Sequence, residues 1–316
     1  MLAKILLFIV SFCSFPVFAI PQWVNTPPSP AGYLVGIGLG EDVSTSKQAA
    51  IADIAMALNS NVSSAVSSIA KTSGMIGSFD TSSTHSVVSA GVLLPQISWD
   101  NIDAENGIVY TMAKVRTSEV VDLYERNLNI ALKSFTNILS KQQIDLNDYL
   151  FLLANQPVLD LSAKRAAAIS SRSTSAIKHH QNIETLYLKK NKFVGSTCFN
   201  VKKSNDRMAD KIYLPSIESA IQSSRFKLQS GNDCIPVKFR AKTERTGKTV
   251  ANVTMQISIG QPAAVSKVIK FKGQSGGSYK SAMMDAADNF SNHFIGDKAL
   301  LASLLSASGN TIEIGL

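Results

Sequence analysis

The chain has 316 residues, 45% hydrophobic and 17% charged, and a formal net charge of +8 at pH 7. That length suffices for two domains, and no run beyond residue 19 is apolar for the ~20 residues a spanning helix needs, which excludes a helical integral membrane protein. Charge is unevenly placed: residues 20–126 hold five Lys/Arg against ten Asp/Glu, about −5, while residues 127–316 hold 25 against 13, about +12.

Residues 1–19 read as an export signal. Lys4 precedes an apolar run over 5–15, and Val17-Phe18-Ala19 supplies small or aliphatic residues at −3 and −1 of a cut that leaves Ile20 first. A lipidated Cys13 is the rival, but Phe12 stands where a lipobox wants a small residue. Beyond the signal only Cys198 and Cys234 remain, an even pair in one region. In an oxidising compartment they are expected to form a disulfide, the alternative being two separately buried thiols.

The extended segment 20–31 carries prolines that forbid a helix, and Trp23 is expected to anchor it on the first domain. The rest of the chain is built around the stretch 33–70. A short apolar strand passes Gly36, Gly38 and Gly40, then a long helix places Ile51, Ile54, Leu58, Val62, Ala65 and Ile69 on one stripe, with Ser44 or Thr45 as N-cap. A Gly/Ser/Thr-rich joint covers 72–86, strands are expected at 86–94 and 96–100, a polar turn at 101–106, and a strand at 107–117. Strand, helix, strand, strand is an α+β unit in which an antiparallel sheet holds one helix.

Helical periodicity returns at 118. Val121, Tyr124, Leu128, Ala131, Phe135 and Ile138 form a stripe ending near Lys141, a short helix spans 145–155 before Pro157, and Asp160 could cap a third helix running to about 190. The second domain opens with an expected strand over 192–201 and a helix over 208–224, starting at or near Pro215. Strands at 234–244, 249–259 and 265–272 form a meander, followed by a helix over 278–295 with Met283, Ala286, Ala287, Phe290 and Phe294 inward. A short apolar helix and an edge strand near 311–314 close the chain. The expected fold is α+β: signal peptide 1–19, an α+β domain 20–129, a helical connector 130–191 and a basic α+β domain 192–316, each domain an antiparallel sheet with helices.

No catalytic constellation emerges. Gly36-x-Gly38-x-Gly40 departs from a dinucleotide fingerprint at Glu41, and Glu41 and Asp42 would repel phosphate there. His179 and His180 are adjacent and point apart, and no H-E-x-x-H, G-x-S-x-G or clustered metal-ligand set occurs. An enzyme is not expected, and no cofactor or metal is implied. The pairs Glu41–Asp42 and Asp285–Asp288 read as solvated helix faces. Basic residues cluster at 189–207 (Lys189, Lys190, Lys192, Lys202, Lys203, Arg207), and Lys267, Lys270 and Lys272 share a strand. Lys238, Arg240 and Lys242 alternate along another strand, so all three project from one sheet face, the expected partner-binding stripe. Export argues against nucleic acid as the partner.

The pattern PQWV-x(8)-YLVGIGLG, then AAIADIAMAL and SSAVSS, closing with VYTMAKVRTSEVVDLYE, resembles the lipoprotein-20-like family of bacterial surface proteins, a domain of which also occurs in the flagellar assembly protein T. The resemblance covers about residues 20–130 and implies a compact envelope module with binding or assembly roles and no catalytic residues. Family members are often lipoproteins, from which the weak lipobox departs. The second domain is similar, at fold level, to small periplasmic modules of outer-membrane assembly factors. Together these readings imply a non-catalytic periplasmic protein, in contact with the outer membrane or an appendage, that assembles or stabilises an envelope structure through envelope or appendage proteins with acidic surfaces. The alternative is a carrier for an anionic envelope lipid or glycan. Self-association is left open.

Overall fold

A computed structural model of the protein describes residues 20–72, 92–105, 107–247, 249–294, 300–306 and 310–315, with backbone alone for 59–72. The signal and its cut after Ala19, Cys13, the joint expected over 72–86 with His85 (all but Thr72, which ends a helix), and most of the strand expected at 86–94 lie outside the described residues. So do the side chains of Val62, Ala65 and Ile69. The fold is α+β.

The first sheet has three antiparallel strands, β1 (Tyr33–Gly40), β2 (Ser98–Glu105) and β3 (Ile108–Arg116), in the order β1-β3-β2. The polar turn expected at 101–106 is instead most of β2: its pairing with β3 outweighs its polar composition, since an edge strand tolerates polar side chains. One turn of helix, α1 (Gln22–Asn25), replaces the extended chain expected there. It starts after Pro21 and ends before Pro27, so no proline sits where its ring would break a hydrogen bond. The Trp23 indole N–H donates to Asp103 on β2 at 2.6 Å and anchors the segment as expected.

α2 (Val43–Thr72) lies across one face of this sheet. Its cap is Asp42, whose carboxylate accepts the Thr45 N–H at 2.7 Å, so Ser44 and Thr45 lie inside the first turn. Ser46 and Thr111 of β3 share a 2.7 Å hydrogen bond between fully buried hydroxyls. On β1 the Ile37 N–H is taken by Asp53 at 2.9 Å.

The stripe expected to run unbroken to Lys141 divides into α3 (Thr117–Lys133) and α4 (Thr136–Ser140), with Phe135 fully buried at the break. α5 (Leu146–Ala154) starts at a reciprocal capping box between Asp145 and Asp148. α6 (Gln156–Ile169) begins before Asp160, which is therefore not its cap, because Pro157 suits the first helical positions. The polar middle at 170–173 ends α6, and Ser173 caps α7 (Thr174–Ser196). α7 takes up the first residues of the strand expected at 192–201, since Phe193 stacks on Tyr149 at 4.8 Å from the helix. The helices over 130–191 are core-forming. Phe135, Leu159, Ala166, Ile183 and Leu186 pack with Leu34, Ile54 and Leu128 in one core, while Tyr149, Leu150 and Phe193 enter a second.

That second core lies under a six-stranded sheet of β4 (Cys198–Val201), β5 (Lys227–Leu228), β6 (Ile235–Thr246), β7 (Val250–Ile259), β8 (Val265–Gln274) and β9 (Thr311–Ile314), ordered β5-β4-β6-β7-β8-β9. The β6–β8 meander is antiparallel; β4, β5 and β9 pair in parallel, so the sheet is mixed. α8 (Arg207–Ser223), α9 (Tyr279–His293) and α10 (Leu300–Ser306) bury Ile217, Phe290 and Leu304 against its inner face. α8 runs through Pro215 rather than starting there: Asp206 accepts the Met208 and Ala209 N–H groups, and buried Ile212 and Tyr213 hold the first turns. Cys198 and Cys234 form the expected disulfide, with Cα atoms 4.8 Å apart. Among the described residues no helix is long and apolar enough to cross a membrane.

Candidate partner-binding face

Alternation along β6 decides what faces out. Val237 and Phe239 enter the core, while Lys238, Arg240 and Lys242 are exposed on the side that, among the described residues, carries no helix. Register extends this side across the sheet. Lys238 pairs with Ser258 and this with Ser266, Arg240 with Gln256 and this with Val268, and Lys242 with Thr254 and this with Lys270, while Lys272 is opposite Asn252. β8 thus adds Lys270 and Lys272, both exposed, whereas Lys267 has the opposite parity beside Ile257 and is half-buried. Neighbouring strands lie about 4.8 Å apart and alternate residues about 6.7 Å along a strand, so the cations form a shallow grid.

Two acids temper the grid. Glu244 meets Lys242 at 2.8 Å, which raises the lysine's pKa and lowers the carboxyl's, both on a fully exposed surface. Glu313 of β9 sits 3.6 Å from Lys270. Lys238, Arg240 and Lys272 have no acidic partner among the described residues. The three cations expected as a stripe are brought together as such. Lys270 and Lys272 join them only through strand register, for which the sequence of β8 alone holds no signal.

Other basic residues serve the fold. The Lys189 ammonium donates to the carbonyls of Ile138 and Leu139 at 2.9 Å and to that of Lys141, closing the end of α4. Lys190 is buried and donates to Gln156, which in turn donates to Asp160 at 2.8 Å; burial pushes the Lys190 pKa down. Neither belongs to an exposed basic cluster, whereas Lys192, Lys202, Lys203 and Arg207 are exposed. Asp285 accepts the Gln274 N–H at 2.8 Å, so it ties β8 to α9 instead of standing free.

Elsewhere the chemistry is sparse. Glu125 accepts hydrogen bonds from Ser173 and Ser175, which lower its pKa, and lies near His179, whose pKa burial lowers. His180 is 3.5 Å from Glu184. No group of His, Cys, Asp and Glu among the described residues could hold a metal ion. An open cleft of about 660 Å³ between 94–96 and α3 carries Glu119 and Asp122 beside Arg126, with Leu94 and Leu123, and thus no dominant charge.

No protein-family model matches the chain, and no curated protein matches it. Among solved structures it is similar to a secreted protein from the human pathogen Helicobacter pylori, at 14% identity and a TM-score of 0.41, over 83% of this chain and 96% of that one. It is also similar to a minor lipoprotein from Acinetobacter baumannii, at 8% identity and a TM-score of 0.23, over 31% of this chain and 91% of that one. Similarity at this level assigns neither a family nor a function.

Proposed function

We propose that this is a non-catalytic protein of the bacterial periplasm that assembles or stabilises an outer-membrane or appendage structure, and that the outer face of the larger sheet is its contact with an acidic partner. The observation that carries this reading is the outer sheet face, free of helices among the described residues, that bears Lys238, Arg240, Lys242, Lys270 and Lys272. Supporting it, residues 1–19 have the order of an export signal, and the Cys198–Cys234 bridge fits an oxidising compartment. The resemblance of about residues 20–130 to lipoprotein-20-like proteins points to the same compartment and makes a flagellar structure one destination. The test is capture from envelope extracts with the exported protein and with a K238E/R240E/K242E variant. A defined complex that the variant loses supports the reading; equal capture by both overturns it.

A second reading, a carrier for an anionic envelope ligand, is favoured by the composition of the same face, which among the described residues carries no aromatic side chain.

A further inference from the structure

The outer sheet face also indicates what kind of acidic partner it suits, an inference that rests on the partner-binding reading above. Stable protein interfaces concentrate aromatic and apolar anchors in a dry centre and place charge at the rim. Here the arrangement is reversed. The centre holds Arg240, Gln256, Thr254 and Lys242, and the outward apolar side chains among the described residues, Pro236, Val250 and Val268, are half-buried within the sheet. Aromatic side chains on these strands turn inward: Phe239 and Phe271 are buried in the core, and Arg245, of opposite parity to Arg240, meets Tyr279 of α9 on the inner side. Such a face offers charge and hydrogen bonds without an apolar anchor.

Shape narrows the occupant further. Strands in a sheet rotate by roughly 20–25° from one to the next, so the grid from β6 to β8 is saddle-shaped and touches a rigid plane over only part of its area. A flexible chain can follow the twist. Lys238, Arg240 and Lys242 form a row along one strand, with backbone positions about 6.7 Å apart. Gln256, Thr254, Ser258 and Asn252 lie alongside to hydrogen-bond sugar or phosphate oxygens.

We infer that the outer face of this sheet binds a linear, flexible polyanion, a phosphate- or uronate-bearing envelope polymer, laid along the β6 row. Binding would be polyelectrolytic: cations displace condensed counterions, and affinity falls as a power of salt concentration.

The experiment measures binding of the exported protein to heparin as the linear probe, by fluorescence anisotropy across a salt series, and in parallel to vesicles of phosphatidylcholine and phosphatidylglycerol. With three to five cations engaged, the slope of log K against log salt is expected at about −2 to −3.5, by the behaviour of single-stranded polyanions. K238E/R240E/K242E should weaken heparin binding at least tenfold, and R240Q alone should flatten the slope by about one contact. A control triple, R207E/K211E/K280E, makes the same change in net charge on the exposed helical side of the sheet and should bind within about twofold of wild type. Circular dichroism melts establish that each variant folds. Equal losses in both triples, retention by the β6 triple, or vesicle binding without heparin binding would each overturn the polyanion. If heparin fails but a protein complex is captured by wild type and lost by the β6 triple, the polymer falls and the acidic-partner reading stands.

Discussion

A Cβ added to Gly38 on β1 would lie 1.8 Å from the carbonyl oxygen of Ser46 on α2. The approach is backbone to backbone, so no side-chain movement relieves it. At Gly36 the same addition would meet the Ala50 carbonyl at 2.3 Å. The glycine series therefore seats a helix and has no need of a phosphate. It also brings Ser46 within reach of Thr111, so that the two buried hydroxyls share a hydrogen bond while Ser46 also reaches the Val43 carbonyl.

Gly38→Ala must push α2 off the sheet or distort β1. The expected loss is about 3 kcal/mol or more, at the upper end of overpacking costs. Urea unfolding followed by circular dichroism measures it, and an unchanged midpoint would show that the helix shifts freely.

The disulfide closes a loop between residues 36 positions apart, joining β4 to the start of β6. In the chain-entropy model a loop of that size contributes about 4 kcal/mol. Cys198→Ser with Cys234→Ser is expected to lower the stability of the second core by that order, with the first core less affected. Thiol labelling of the unreduced, unfolded protein should find neither cysteine reactive; two reactive thiols would refute the bridge in the exported protein.

Asp145 caps α5 through the Asp148 N–H at 2.9 Å, and Lys141 meets Asp148 at 2.6 Å. The backbone hydrogen bond is the main cause that lowers the Asp145 pKa, with Lys141 adding to it. A carboxyl lowered in the folded state favours folding above its unfolded pKa, near 3.9, and that contribution disappears as pH falls through the lowered folded value. Asp145→Asn keeps a capping side chain but cannot titrate. It should therefore flatten the loss of stability below about pH 4, measured by thermal melts across pH. An acid limb identical to wild type would show that the cap plays no part in it.

His179 behaves in the opposite chemical sense with the same sign in pH. Burial, with Lys178 adding to it, lowers its pKa, and Glu125 partly opposes the shift. A base whose folded pKa lies below its unfolded one binds fewer protons when folded, so stability rises with pH through the window just under about 6.5. His179→Gln should remove that slope while leaving stability near pH 8 close to wild type. Melting temperatures between pH 5 and 8 decide it, and a slope that persists in the variant would place the titration elsewhere.

Much of the local structure was legible because it follows from short-range periods. The two-residue alternation of Lys238, Arg240 and Lys242 by itself places them on one face of a strand, and the glycine strand with its alanine-rich helix marks the packed unit of β1 and α2. The pairing of Cys198 with Cys234 followed from their being the last two cysteines. Periodicity could not show where helices stop when a polar or buried residue permits either outcome. Contacts distant in sequence accompany the breaks at 134–135 and 170–173 and the passage of α8 through Pro215. Phe135 enters the first core at one break, Ser173 and Ser175 donate to Glu125 of α3 at the other, and Ile212 and Tyr213 of α8 lie in the second core ahead of Pro215.

Lys189 and Lys190 show the same limit in the other direction. In sequence they look like the start of a basic cluster, yet one ends α4 and the other is buried against Gln156, because helix α7 happens to pass those groups. Lys270 and Lys272 join the β6 row only because β7 sets the register between β6 and β8. The parallel placement of β4 and β9 likewise depends on where α8 and α10 return the chain. Which residues alternate is a property of neighbouring bonds and was determined by the sequence alone. Which face is covered, and which charges share it, depends on non-local contacts, and only the tertiary structure decided it.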